Sequence, residues 1–337
     1  MRKFVIAFAF VSLLFAQPAA AALPYGEVRN FGPDLKTKCA FPEGIAVDPQ
    51  GRIYASSANL PATSGPSTIC VLDANSGSIV DVISVSPGLG GVAKLLGMLF
   101  VPGEGLYVAD LGSGGGDGRV LRVNVRTHAV AVVATGFGAP NAFARDEDGN
   151  LWVSDSFAGS ITKIRRNGTT KAFAYPAELK PAVGELPPFG ANGLAFDRSE
   201  RFLYVAMTAR DQILRIRHED GALGRIEVFA TGTPNGALDG ADGIAFDVKG
   251  NLYVCSNQSQ QVTVLSPRGH VIAEIRGTGA NRFSNPASPV FRGRQVFIAN
   301  LAAFDSEPMS KVSVFTAPFR GAPLIAGDHG DGSDEQD

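Results

Sequence analysis

Four oxygen-bearing side chains stand at one phase of a repeating pattern, and together they could hold a hard cation. Glu43 precedes Gly44-Ile45-Ala46-Val47-Asp48, and Asn141 precedes Ala142-Phe143-Ala144-Arg145-Asp146. Asn192 precedes Gly193-Leu194-Ala195-Phe196-Asp197, and Asp242 precedes Gly243-Ile244-Ala245-Phe246-Asp247. Leu96 and Ser288 fall at the same phase in two weaker copies. Calcium takes several oxygens from Asp, Glu, Asn and water, so Glu43, Asn141, Asn192 and Asp242 are the expected metal ligands. No His or Cys joins them, which argues against zinc or copper. Two carboxylates brought face to face would repel and resist leaving water, and a divalent cation offsets both costs. Such an ion polarises a carbonyl and acidifies a water. The chemistry open to this set is therefore Lewis-acid activation of a carbonyl and of a bound water. Each residue alone has a plainer reading, Asn and Asp before Gly being common turn formers. It is the shared phase that makes the set informative.

Residues so far apart in sequence can meet only if the fold repeats around an axis. The pattern demands such a fold. Each copy pairs its first segment with a second that carries an aromatic marker: Tyr54, Tyr107, Trp152, Tyr204, Tyr253 and Phe297. The markers recur roughly every 50 residues, as propeller blades do. Turn-forming Pro49-Gln50-Gly51, Asp148-Gly149-Asn150 and Lys249-Gly250-Asn251 separate the two segments, as hairpins require. A third strand usually follows, for example Ile161-Thr162-Lys163-Ile164, and a fourth is often visible, as in Arg225 to Ala230. The expected fold is all-β, a six-bladed β-propeller of four-stranded antiparallel blades, since radial packing buries both faces of every sheet. The first strand of each copy should be innermost, which would aim the four polar residues at one mouth of the central channel. Leu96, Phe137, Phe157 and Phe189 would form an apolar rim there.

The two ends of the chain read differently. Arg2 and Lys3, an apolar run from Phe4 to Phe15 and small residues from Ala19 to Ala22 have the form of a secretory signal peptide. The expected organisation is a signal peptide over 1–22, the propeller over 23–326 and a disordered acidic tail over 327–337. The protein is then secreted or periplasmic, with no membrane anchor after cleavage. Cys39 and Cys70 could pair in an oxidising compartment, and Cys255, within Leu252-Tyr253-Val254-Cys255, reads as a buried strand residue. A net charge of −2 without a basic cluster excludes nucleic acid as a partner.

The remaining polar residues have structural readings. Asp48, Asp146, Asp197 and Asp247 share a phase at the strand end and should bond to the following turn. Asp110 and Asp155 should organise the loop after the second strand. None of the four histidines falls at the channel phase, and no Gly-x-Ser-x-Gly elbow is present. Asn167-Gly168-Thr169 and Asn257-Gln258-Ser259 fit the glycosylation sequon.

The segments Pro42-Glu43-Gly44, Ala191-Asn192-Gly193-Leu194-Ala195 and Ala241-Asp242-Gly243-Ile244 resemble the regucalcin/gluconolactonase (senescence marker protein) family of six-bladed propellers. The resemblance implies one divalent cation, often calcium, at the top of the channel and hydrolysis of a lactone or related ester. By motif it places the family's metal Glu on Glu43, its metal Asn on Asn192 and its metal Asp on Asp242. Asn141 matches the Asn that approaches substrate or metal, and Asp242, aided by Glu43, the group that takes the proton of the attacking water. Ala139 stands where an Arg is usual, and Pro-Glu-Gly-Ile-Ala replaces the usual Glu-Gly-Pro. The repeats are also similar to NHL repeats, which implies a non-catalytic propeller that binds a protein or glycan as the alternative. A further alternative is a lyase or synthase of the strictosidine-synthase-like or streptogramin-lyase-like kind, because fold alone does not decide function.

Overall fold

In four of the six repeats a short apolar strand runs into an Asp-led turn, and the turn is closed by that Asp. Asp48 accepts the main-chain N–H groups of Gln50 and Arg52, and Asp247 those of Lys249 and Asn251. Asp146 and Asp197 do the same for Asn150 and Phe202. The aromatic marker on the second strand reaches back to the same carboxylate in two repeats, through Tyr54 Oη at 3.0 Å from Asp48 and Trp152 Nε1 at 2.9 Å from Asp146. These bonds fix each hairpin's register, and register decides which side chains reach the core.

The computed structural model describes residues 25–181, 184 and 188–323. It shows six four-stranded antiparallel sheets. Blade one holds β2 (Pro42–Val47), β3 (Ile53–Ser57), β4 (Ser67–Leu72) and β5 (Ile79–Val85). Blade two holds β6 (Leu95–Val101), β7 (Gly105–Asp110), β8 (Gly118–Val123) and β9 (Val130–Phe137). Blade three holds β10 (Pro140–Arg145), β11 (Leu151–Asp155), β12 (Ser160–Ile164) and β13 (Thr170–Ala174). Blade four holds β14 (Ala191–Phe196), β15 (Phe202–Met207), β16 (Gln212–Glu219) and β17 (Ala222–Thr231). Blade five holds β18 (Ala241–Phe246), β19 (Leu252–Ser256), β20 (Gln261–Leu265) and β21 (Val271–Ile275). Blade six holds β22 (Pro286–Arg292), β23 (Gln295–Asn300) and β24 (Lys311–Thr316), and its outer strand is β1 (Arg29–Phe31) from the other end of the chain. This pairing of first strand with last sheet closes the wheel and leaves no unpaired edge at the junction.

The first strand of every blade touches the first strands of both neighbouring blades, so these six strands line the axis. Six apolar clusters fill the gaps between successive blades. Trp152, Leu203 and Val205 pack in the gap between blades three and four, for example, and Tyr253, Val296 and Phe315 between five and six. Cys39 and Cys70 are joined by a disulfide, with Cα atoms 6.0 Å apart, which pins the segment before β2 to β4. Cys255 is buried on β19, as its strand context implied. The expected signal peptide lies outside the described residues, and so does the acidic tail over 327–337.

Candidate functional site

Near its start every innermost strand has an irregularity of register, between Pro42 and Ile45 in blade one and at the matching place in the other five. The residue at this bulge turns out of the ladder. Gly44 follows it because the next blade's backbone is too close for a side chain: a Cβ on Gly44 would sit 2.2 Å from the carbonyl oxygen of Leu96. Gly193 meets the Asp242 carbonyl in the same way, at 2.4 Å. The repeated Gly is thus a consequence of six strands converging on one axis.

Register alignment places Glu43, Leu96, Asn141, Asn192 and Asp242 at equivalent positions in blades one to five. In blade six it corrects the sequence expectation. Ser288 pairs with Ala299 and Pro289 with Ile298, which puts Ser288 level with Gly44 and puts Ala287 level with Glu43. The sixth ring position is therefore apolar. Ala287-Ser288-Pro289 lacks the Gly that marks the position in blade one, so the pattern was one residue out of step there.

Glu43, Asn141, Asn192 and Asp242 are all buried. Burial, and then repulsion from Asp242, push the Glu43 carboxyl well above the usual carboxylate range. Asp242 is pushed up to about 8 by burial, against the lowering effect of the Asn257 and Asn192 carboxamides and the Gly243 N–H. The two carboxylates, on blades one and five with blade six between them, therefore feel each other. One oxygen of each, Glu43 Oε2 and Asp242 Oδ1, is buried without a hydrogen-bond partner. Buried polar atoms are nearly always partnered, so two orphaned acceptors in one ring mark a place built for a positive group. Donor chemistry agrees, since two carboxylates and two carboxamides suit a hard cation. Among the described residues no group of three or more His, Cys, Asp or Glu is assembled to hold a metal, and the ring itself has only two carboxylates.

Two supporting residues escaped the sequence reading. Asn257 Nδ2 donates to Asp242 Oδ2 at 3.2 Å, and Thr208 Oγ1 accepts from Asn192 Nδ2 at 3.0 Å. Thr208 also donates to the Ala241 carbonyl, which ties blade four to blade five at the ring. Both lie just beyond the end of a second strand, a position whose role appears only once the strands are paired. Asn257 is buried and committed to Asp242, so its sequon is not displayed for a glycan. Cys255 lies close enough to feel Asp242 and Glu43, and burial raises its thiol well above the ordinary range, which keeps it an unreactive thiol. Of the expected rim, Phe157 and Phe189 are half-buried and stacked with centroids 5.5 Å apart, whereas Phe137 is withdrawn into the packing.

A cavity of about 820 Å³ lies toward the opposite end of the channel. It reaches up to Gly97, Ala142, Gly193, Gly243 and Ser288, each directly after a ring position, and opens among the Asp48, Glu147 and Asp197 turns. The polar ring is not part of its lining. Of the carboxylates at its mouth, Asp48 and Asp197 are already bonded to their own turns.

The model of the SMP-30/gluconolactonase/LRE-like region matches residues 189–299, the stretch that carries Asn192 and Asp242. The model of the strictosidine synthase-like N-terminal region matches residues 34–59, around Glu43. No curated protein sequence matches the chain. Solved structures with the same architecture include a gluconolactonase from Xanthomonas campestris, at 19% identity and a TM-score of 0.62 over 90% of this chain and 99% of that one. A calcium-binding regucalcin from Agrobacterium tumefaciens has 16% identity and a TM-score of 0.62 over 90% and 97%. A virginiamycin B lyase from Staphylococcus aureus, solved with quinupristin, has 15% identity and a TM-score of 0.55 over 86% and 99%. The likeness first read from three short motifs is borne out over residues 189–299, which match the SMP-30/gluconolactonase/LRE-like model, and the chain as a whole has the six-bladed β-propeller fold.

Proposed function

We propose that the protein is a calcium-dependent hydrolase of a lactone or related ester, exported from the cell and acting at the polar ring. The observation that carries this reading is the pair of buried, unpartnered carboxylate oxygens, Glu43 Oε2 and Asp242 Oδ1, in a ring completed by two carboxamides. Glu43, Asn192 and Asp242 would hold the ion, with Asn141 beside it facing ion or substrate. When bound, the ion supplies electrophilic stabilisation of the ester carbonyl and a lower pKa for water. Asp242 is the proton acceptor. Its Oδ2 is held by Asn257, which leaves Oδ1 free to face the reacting water. Glu43 adds negative charge that a bound cation offsets. Asn192, fixed by Thr208, presents its carbonyl oxygen, because its amide nitrogen is already engaged. Export is supported by the Cys39–Cys70 disulfide, a bond that persists in oxidising compartments.

The test is an assay of a lactone and ester panel in oxygen-18 water, with calcium and then with chelator. Hydrolysis incorporates solvent oxygen into the product, and chelation abolishes it. Turnover that gives an unsaturated product without solvent oxygen would replace the hydrolase reading with a lyase. Inertness across the panel with calcium restored would leave a binding propeller.

A further inference from the structure

The six ring positions divide into two kinds. Oxygen-bearing residues hold those of blades one, three, four and five, whereas Leu96 and Ala287 hold those of blades two and six, on either side of Glu43. One apolar cluster joins Leu96 and Ala287 to Leu111 and Leu301, with half-buried Phe41 and Leu60 packed on it. All four added residues belong to the ring's own end of the channel. Leu111 and Leu301 directly follow β7 and β23, Phe41 directly precedes β2, and Leu60 lies in the loop after β3. Farther along the same rim Phe304 is 65% exposed. The ring thus has an arc of Asn141, Asn192 and Asp242 on one side, while on the other Glu43 stands between Leu96 and Ala287, the two ends of one apolar wall.

We propose that this wall selects the substrate: a lactone or ester with an apolar chain, its carbonyl over the oxygen-bearing arc and its chain against Leu96, Leu60 and Phe41. The proposal rests on the hydrolase reading above and specifies it. A polyhydroxylated lactone would lay hydroxyls against side chains that offer no hydrogen-bond partner, a cost that a site pays for in discrimination. A hydrocarbon chain gains from the same contact, about fourfold in kcat/KM for each methylene it buries.

The test compares δ-lactones with linear alkyl tails of increasing length against gluconolactone, using the calcium-loaded mature protein. The expected result is a rise in kcat/KM of up to about fourfold per methylene until the wall is covered, with gluconolactone the poorest substrate. Leu60→Ser, at a half-buried position, should flatten that rise. Leu96→Asn should flatten it further. Equal rates along the series, or a preference for gluconolactone, would overturn the proposal and leave the hydrolase reading intact. If no lactone is turned over, the hydrolase reading fails instead, and calorimetry with the same tailed lactones then decides about the wall. Affinity that climbs with tail length keeps it as a binding surface, and no binding at any length overturns it.

Discussion

The two ends of the channel each repeat an acidic or amide residue at one phase of the blade, and they treat it in opposite ways. At the lower end Asp48, Asp146, Asp197 and Asp247 are held by main-chain N–H groups of their own turns. At the upper end Glu43 and Asp242, on blades one and five, each keep a buried oxygen that nothing satisfies. Repetition alone does not mark a functional residue. What separates the two sets is whether the residue is satisfied within its own hairpin or left to find a partner from another blade.

Substitutions should separate the two ends cleanly. The largest effect is expected of Asp242→Asn, which should lower kcat/KM by about 10³-fold or more. Its melting temperature should hold or rise, because a buried, poorly compensated charge is removed. Steady-state kinetics and thermal melts on one preparation check both halves. Asp146→Ala should behave in the reverse manner. It strips bonds from Asn150 and Trp152 and the buried ion pair to Lys163 at 3.2 Å. A loss of about 3–5 kcal/mol in stability is expected, read by denaturant unfolding, with kcat/KM of the folded fraction little changed. A large kinetic defect in Asp146→Ala would erase the distinction between the ends.

Smaller effects sharpen it. Asn257→Ala should weaken calcium binding by about 10- to 100-fold, as removal of the support behind a ligand does, measured by calorimetry. The pH dependence follows from the sign of the shifts. Asp242 and Glu43 are raised by folding, Asp242 to about 8. As pH rises from the ordinary carboxylate range toward 8, the unfolded chain releases protons that the folded chain keeps, so the calcium-free protein loses stability across that window. Thermal melts without calcium should fall between about pH 5 and pH 8, and Asp242→Asn should remove much of the slope. Calcium should raise the melting temperature more at pH 8 than at pH 5, since the ion replaces those protons.

Much of the wheel was legible because its signals are local and repeated. The markers Tyr54, Trp152, Tyr253 and Phe297 are fully buried, and the Asp-led turns could be read as hairpins from their own residues. The closing strand Arg29–Phe31 was not legible: three residues carry no period, and their partner Val312–Val314 lies at the far end of the chain. Four of the candidate site residues were found by phase alone. Blade six misled that method because Ala287-Ser288-Pro289 lacks the glycine that fixes the phase elsewhere. Asn257 and Thr208 were missed for a different reason. They sit after the second strand, where polar residues are ordinary, and only strand pairing brings them against Asp242 and Asn192.

The central claim is that side chains from separate blades hold one cation at the ring. A calorimetric titration of the metal-stripped mature protein with calcium, alongside Glu43→Gln and Asp242→Asn, tests it most directly. The account predicts one ion bound per chain by the unaltered protein and little or none by either variant, each still folded. Calcium bound equally well by all three, or by none, would contradict it.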